Sequence, residues 1–316
     1  MGAETADTER MMALPRVYLD QCHVSRMAKA RMGRTDDPEE LRLMSLLQTL
    51  VREGKIVCPF SFWHVVETVG FKRDVDAMCA TAALLDELSR GFCLRNWVDV
   101  AEWERSGEGE ASGLSILGQR TQCFPGEWGL GKAWRVTEGA ALITGVGVVE
   151  LLVAWLSEGG RAVGERFKQN QVSFFRKMLH EVSLEGQLSE GESWQRALAN
   201  YADGLETRMP AVRDTSFEGL VAAGLVTVAS LTKFGAEALR DTARRVREGD
   251  AVDVCHVGHL PHCTWFLTDG HVEELCRRWS AKVGTKVFRK AADLDEALRP
   301  LADRDASQWA QPEVLK

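Results

Sequence analysis

Short β-prone runs alternate with helical apolar spacing at both ends of this chain, and a long helical block separates the two stretches. This interrupted alternation constrains the fold most, because strand–helix repeats of this kind build a parallel sheet covered by helices. Arg16-Val-Tyr-Leu-Asp20 is a β-prone run ending in an acid, followed by helical spacing over 22–31 and 38–52. Lys55-Ile-Val-Cys58 restarts the strand pattern after Gly54, and Pro59 suits the first turn of a helix over 60–69. A further helix over 74–88 is closed by Gly91, and Phe92-Cys-Leu-Arg95 is the third strand. After Gly249 the same rhythm returns: a helix over 253–260, Trp265-Phe-Leu-Thr268 as a strand, a helix over 272–280, and a last strand over 286–289.

The block between them reads as helical over 140–156, 161–181, 193–209, 217–225 and 232–246, with Val226-Thr-Val228 the clearest β-branched interruption. The expected organisation is therefore an α/β core over 14–104 and 250–302 with a large all-helical insertion over 105–249. A disordered start over 1–13 and a frayed tail over 303–316 complete it. Insertions of this size are tolerated where chain ends lie close together on a domain surface.

The net charge of −7 offers no global basic field, which argues against a passive nucleic-acid coat protein held by phosphate neutralisation. It leaves room for a nuclease, which needs only a local basic rim around an acidic pocket. Residues 1–13 lack the basic start and apolar run of a secretory signal. The longest apolar stretch, 139–156, carries Glu150 and three glycines and reads as a buried helix rather than a membrane span. None of the eight cysteines forms a CxxC pair, so free thiols in a reducing cytoplasm are expected.

Asp20 and Asp269 each follow a β-prone run, the place where parallel sheets bind ligands. Two carboxylates at neighbouring strand ends repel one another unless a cation lies between them. Such hard oxygen ligands suit Mg²⁺ or Mn²⁺, which acidifies a bound water and stabilises phosphoryl charge.

Taken with Glu67 in Ser61-Phe-Trp-His64-Val-Val-Glu67 and with Asp253-Val-Cys-His256, then Pro261, then Phe266-Leu-Thr-Asp269, the pattern resembles the PIN-domain nucleases, in particular the PIN-like branch that opens Leu-Asp-Gln. The resemblance covers roughly 14–104 and 250–302. It implies a PIN-like parallel sheet and metal-dependent cleavage of a nucleic acid, RNA favoured over DNA. Asp20, Asp253 and Asp269 would hold the metal, and Glu67 would ligate it or position water. Control by a protein partner or inhibitor, as in toxin or defence systems, follows by analogy. The gap between Glu67 and Asp253 is longer than in compact members, and Gln21 stands where Thr or Ser is commoner, which bears on how the attacking water is held. A rival reading keeps the fold without catalysis and binds partners through the helical block. A haloacid-dehalogenase-type phosphatase is a weaker rival, because Cys22 stands where its second Asp belongs.

Blander readings compete at each position. Asp20 and Asp269 suit helix N-caps, and a lone Glu67 on an amphipathic helix is usually solvated. His23 and His64 each lie three positions from a proposed ligand and, with His256 and Thr268, are candidates to orient it or simply to be hydrogen-bonded in the core. Cys255, His256, His259, His262 and Cys263 invite a zinc reading, weakened by the missing partner pair and by Pro261. Arg166, Lys168, Arg176 and Lys177, interleaved with Phe167, Phe174 and Phe175, are candidate contacts to a single strand, or the edge of a helix whose aromatics face the core. Arg240, Arg244, Arg245 and Arg247 form a second such strip.

Overall fold

The computed structural model describes residues 13–71, 74–107, 116–119, 189–204, 214–240 and 250–303. Its centre is β1 (Val17–Leu19), buried on both faces, as a central parallel strand must be. β1 pairs in parallel with β4 (Trp265–Leu267), setting Val17 beside Trp265 and Leu19 beside Leu267, and β4 pairs in parallel with β5 (Lys286–Phe288). Along the other edge of β1, Val57 bridges to Arg16 and Phe60 bridges to Cys93 of β2 (Phe92–Leu94). Lys55–Cys58, expected as a strand, is thus reduced to single bridges. Pro59 has no N–H for the ladder, and the chain must turn at once into a helix beginning at Phe62.

The two-residue period of the strands divides the interior in two. Val17, Leu19, Cys93, Leu267 and Phe288 face one core; Tyr18, Leu94 and Phe266 face the other. The first core is closed by α1 (Gln21–Arg31), α2 (Pro38–Arg52), part of α3 (Phe62–Phe71) and α4 (Val75–Ser89). The C-terminal α11 (Ala291–Ala302), which the sequence pattern did not isolate, joins them through Leu294 and Leu298. Asp37 and Asp74 cap α2 and α4 through the amides of Glu40 and Ala77. Arg90, at φ 50°, ends α4 one residue before Gly91.

The second core receives α5 (Trp97–Ser106), α6 (Glu190–Gly204), α7 (Phe217–Ala222), α8 (Val226–Arg240), α9 (Asp250–Val257) and α10 (Gly270–Cys276). Ala197, Phe217, Leu231 and Phe234 from the expected insertion pack in one cluster with Tyr18 and Phe266 of the sheet. The described part of that block covers a face of the sheet instead of forming a core of its own. Nor is it all-helical: β3 (Leu117–Gln119) pairs antiparallel with β2. Val226-Thr-Val228 is the first turn of α8, not a β-branched interruption. The Glu104 carboxylate accepts the Thr227 amide at 2.9 Å and so fills a helix end that β-branched residues alone would not favour.

The helices expected over 140–156 and 161–181 lie outside the described residues. So do Arg166, Lys168, Arg176, Lys177, Arg244, Arg245, Arg247, nearly all of the N-terminal stretch and most of the tail. Among the described residues no helix is long and apolar enough to cross a membrane.

Candidate metal centre

With the bridges at Val57 and Phe60, sheet order across the described residues runs β3, β2, the 57–60 segment, β1, β4, β5, so the sequence order of the strands reverses between β1 and β4. A crevice opens beyond the carboxyl ends of two such strands. Asp20 leaves β1 there and caps α1. Its Oδ1 accepts the Cys22 amide at 3.1 Å, and its Oδ2 accepts the Thr268 hydroxyl from the end of β4 at 2.8 Å. Burial alone would raise this carboxyl, but His256, the Cys22 amide, Thr268 and His23 outweigh it and hold Asp20 below the usual carboxylate range.

Glu67 arrives from α3 and His256 from α9. His256 Nε2 lies 2.7 Å from Glu67 Oε2, and one ligand atom from each of Asp20, Glu67 and His256 lies within 4.8 Å of the others. Asp20 and His256 are buried, and the Glu67 side chain is 18% exposed, so the cluster opens on the Glu67 side. Burial depresses His256, yet Glu67 and Asp20 overcome this and raise it above an ordinary histidine. The two acids thus favour a protonated imidazole between them, and a divalent cation bound by the His256 lone pair would offset both carboxylates. The donor set fits a metal. His256 Nδ1 is engaged 2.5 Å from the Tyr18 hydroxyl, which leaves Nε2 directed at the acids, the arrangement common to metal-ligating histidines.

The other two expected acids stand apart. Asp253, one helical turn before His256, does not join the cluster; its charge acts on Cys255 and on Cys276 of α10. Residues three apart on a helix point about 60° from one another, so α9 can turn His256 to Glu67 without bringing Asp253 along. Asp269 is the N-cap of α10, its Oδ1 accepting the His271 and Val272 amides at 2.8 and 2.9 Å. The capping role weighed for both strand-end acids describes Asp269, whereas Asp20 caps a helix and belongs to the cluster as well.

The supporting residues do different work. Gln21 Nε2 donates to Thr68 at 2.6 Å, tying α1 to α3, while its buried Oε1 has no hydrogen-bond partner among the described residues. His23 joins Glu40 of α2 at 2.6 Å and the Thr268 carbonyl at 3.2 Å, clamping the end of β4. His64 accepts the Ser61 amide on Nδ1 and donates from Nε2 to Leu19 O at 2.6 Å; burial and His256 push it down to about 3, so it is neutral. His262 is bound to Thr227 at 2.7 Å, and Cys263 is pushed up to about 12 by burial. The five donors between Cys255 and Cys263 therefore form no ligand cluster of their own among the described residues. Sequence reasoning passed over Tyr18 and Ser61. The available signal was a tyrosine at the centre of a buried strand, because a buried phenol needs a polar partner.

Compared with protein-family models, curated proteins and solved structures, the chain matches none of them.

Proposed function

We propose that this protein is a metal-dependent nuclease whose metal is held by Asp20, Glu67 and His256. The observation that carries the reading is the meeting of these three donors beyond the carboxyl ends of β1 and β4, where the strand order reverses. The PIN-like fold, and a preference for RNA over DNA, rest on the motifs around Asp20, Glu67, Asp253 and Asp269. The refined donor set changes the metal preference. An imidazole nitrogen beside two carboxylates suits Mn²⁺ better than Mg²⁺, which favours all-oxygen shells. When bound, such a metal acidifies a water and offsets phosphoryl charge. The protein's own groups orient the site: Thr268 and the Cys22 amide fix the Asp20 carboxylate, and Gln21 Oε1 supplies a buried acceptor for a water. A cytoplasmic location and control by a protein partner or inhibitor belong to the same proposal.

A second reading has an observation of its own. With His256 protonated, Asp20, His256 and Glu67 make a buried ion triad that needs no metal, as in a fold kept for interaction rather than catalysis. Cleavage of single-stranded and structured RNA and DNA in Mn²⁺, Mg²⁺ and EDTA, by the wild type and Asp20→Asn, separates the two. The nuclease reading expects Mn²⁺-supported cleavage that the substitution abolishes. Equal inertness of both proteins on every substrate would leave the ion-triad reading standing.

A further inference from the structure

Tyr18 lies on the central strand with its ring in the second core, fully buried. Phe266 stacks against it with centroids 4.9 Å apart and planes inclined by 11°, and His64 closes another side at 4.9 Å. The ring is thus fixed, and so is the direction of its hydroxyl. That hydroxyl has two partners: His256 Nδ1 at 2.5 Å and Ser61 Oγ at 2.8 Å. Ser61 Oγ lies 3.1 Å from His64 Nδ1, and His64 Nε2 donates to Leu19 O, the carbonyl immediately before Asp20. A continuous hydrogen-bonded chain therefore runs from Glu67 through His256, Tyr18, Ser61 and His64 back to the backbone that carries Asp20.

We propose, building on the metal centre described above, that Tyr18 is a positioning residue for metal binding, its phenol holding His256 Nδ1 so that Nε2 is presented between Asp20 and Glu67. Histidine ligands are commonly oriented by an oxygen acceptor on the second ring nitrogen, and loss of that partner weakens the metal even though the ligands remain. A hydroxyl suits the task because it accepts from Nδ1–H and passes its own hydrogen onward, here to Ser61 Oγ. Phenylalanine would fill the same space beside Phe266 and His64 but remove the acceptor that fixes the imidazole about its χ2, a broad torsion.

The test is Mn²⁺ titration of the full chain followed by electron paramagnetic resonance, with electron spin-echo modulation from the ligand nitrogen. Wild type, Tyr18→Phe and Asp20→Asn are compared, and their folding is checked by circular dichroism. Tyr18→Phe is expected to weaken Mn²⁺ by about 10- to 100-fold and to lose the nitrogen modulation, while Asp20→Asn loses the site. A merely structural role for the phenol would lower stability without removing the nitrogen signal selectively. Wild-type affinity and nitrogen modulation in a folded Tyr18→Phe protein would overturn the inference and leave the metal centre intact. Wild type without an Asp20-dependent Mn²⁺ site would instead overturn the metal reading, and the positioning role with it. Should Tyr18→Phe not fold, Ser61→Ala keeps the phenol and removes its acceptor. A smaller loss of affinity is then expected, and unchanged affinity overturns the proposal.

Discussion

His256 Nε2 and Glu67 Oε2 meet at 2.7 Å although 189 positions separate them in the chain. The contact joins α9 to α3 across the end of the sheet, where it favours the charged imidazole and ties the two helices together. Removing the imidazole deletes its hydrogen bond to Glu67 and the favourable charge interaction that it gives Asp20. His256→Ala is expected to destabilise the protein by about 3–5 kcal/mol, the usual result of breaking a buried charge pair from one side. Urea unfolding at neutral pH in EDTA measures this, and a loss below about 1 kcal/mol would mean that the triad carries little of the stability.

Metal binding to the folded state alone must raise its stability. At a Mn²⁺ concentration a hundredfold above Kd the gain is about 2.7 kcal/mol, and thermal unfolding reads it as a higher Tm. Mg²⁺ at the same concentration is expected to give a smaller rise, because the shell contains a nitrogen donor. Asp20→Asn should show neither effect. A larger rise with Mg²⁺ than with Mn²⁺ would argue that His256 is not a ligand.

Glu104 supplies a pH-dependent contribution away from the cluster. Burial raises its carboxyl to about 7, against hydrogen bonds from Thr227 and Val228 that act the other way. Because the folded value lies above that of an unfolded glutamate, the unfolded chain gives up this proton first. The contribution is fully present below about pH 4.5, declines as pH rises to about 7, and is flat above, a loss of about 3 kcal/mol. Glu104→Gln, which does not titrate, should flatten the stability profile between pH 5 and 7. An unchanged slope would show that Glu104 ionises normally.

Gly258, just beyond α9, packs against Trp97 at the start of α5. A Cβ there would lie 2.7 Å from Cβ and Cγ of Trp97, inside the packed interior, so Gly258→Ala is expected to cost about 1–3 kcal/mol. Since His256 lies two residues away, the same shift should weaken Mn²⁺ binding. Gly270→Ala is the control. The atoms nearest its Cβ belong to the exposed, flexible Arg289 side chain, which can move aside, and the variant should stay within about 0.5 kcal/mol of wild type in chemical denaturation.

Local pattern in the sequence carries the strand–helix alternation, the parallel sheet, and the placing of Asp20 at a strand end with Glu67 on the helix of the following unit. These follow from periods of 2 and 3.6 residues and from residues such as Pro59, Asp37 and Asp74 whose preferences are short-range. Tertiary structure alone decided the third member of the cluster. Asp253 and His256 occupy neighbouring angular positions on one helix, and the packing of α9 against α3, with Gly258 against Trp97, determines which of them faces Glu67. Asp269 has a local use as an N-cap, and nothing nearby in sequence tells whether its carboxylate will be spent there. The start of α8 is likewise set from a distance, by Glu104 across 123 positions. Period and propensity fix which face of an element is apolar; the rotation of one element against another depends on contacts between residues far apart in the chain, and it was that rotation that assembled the site.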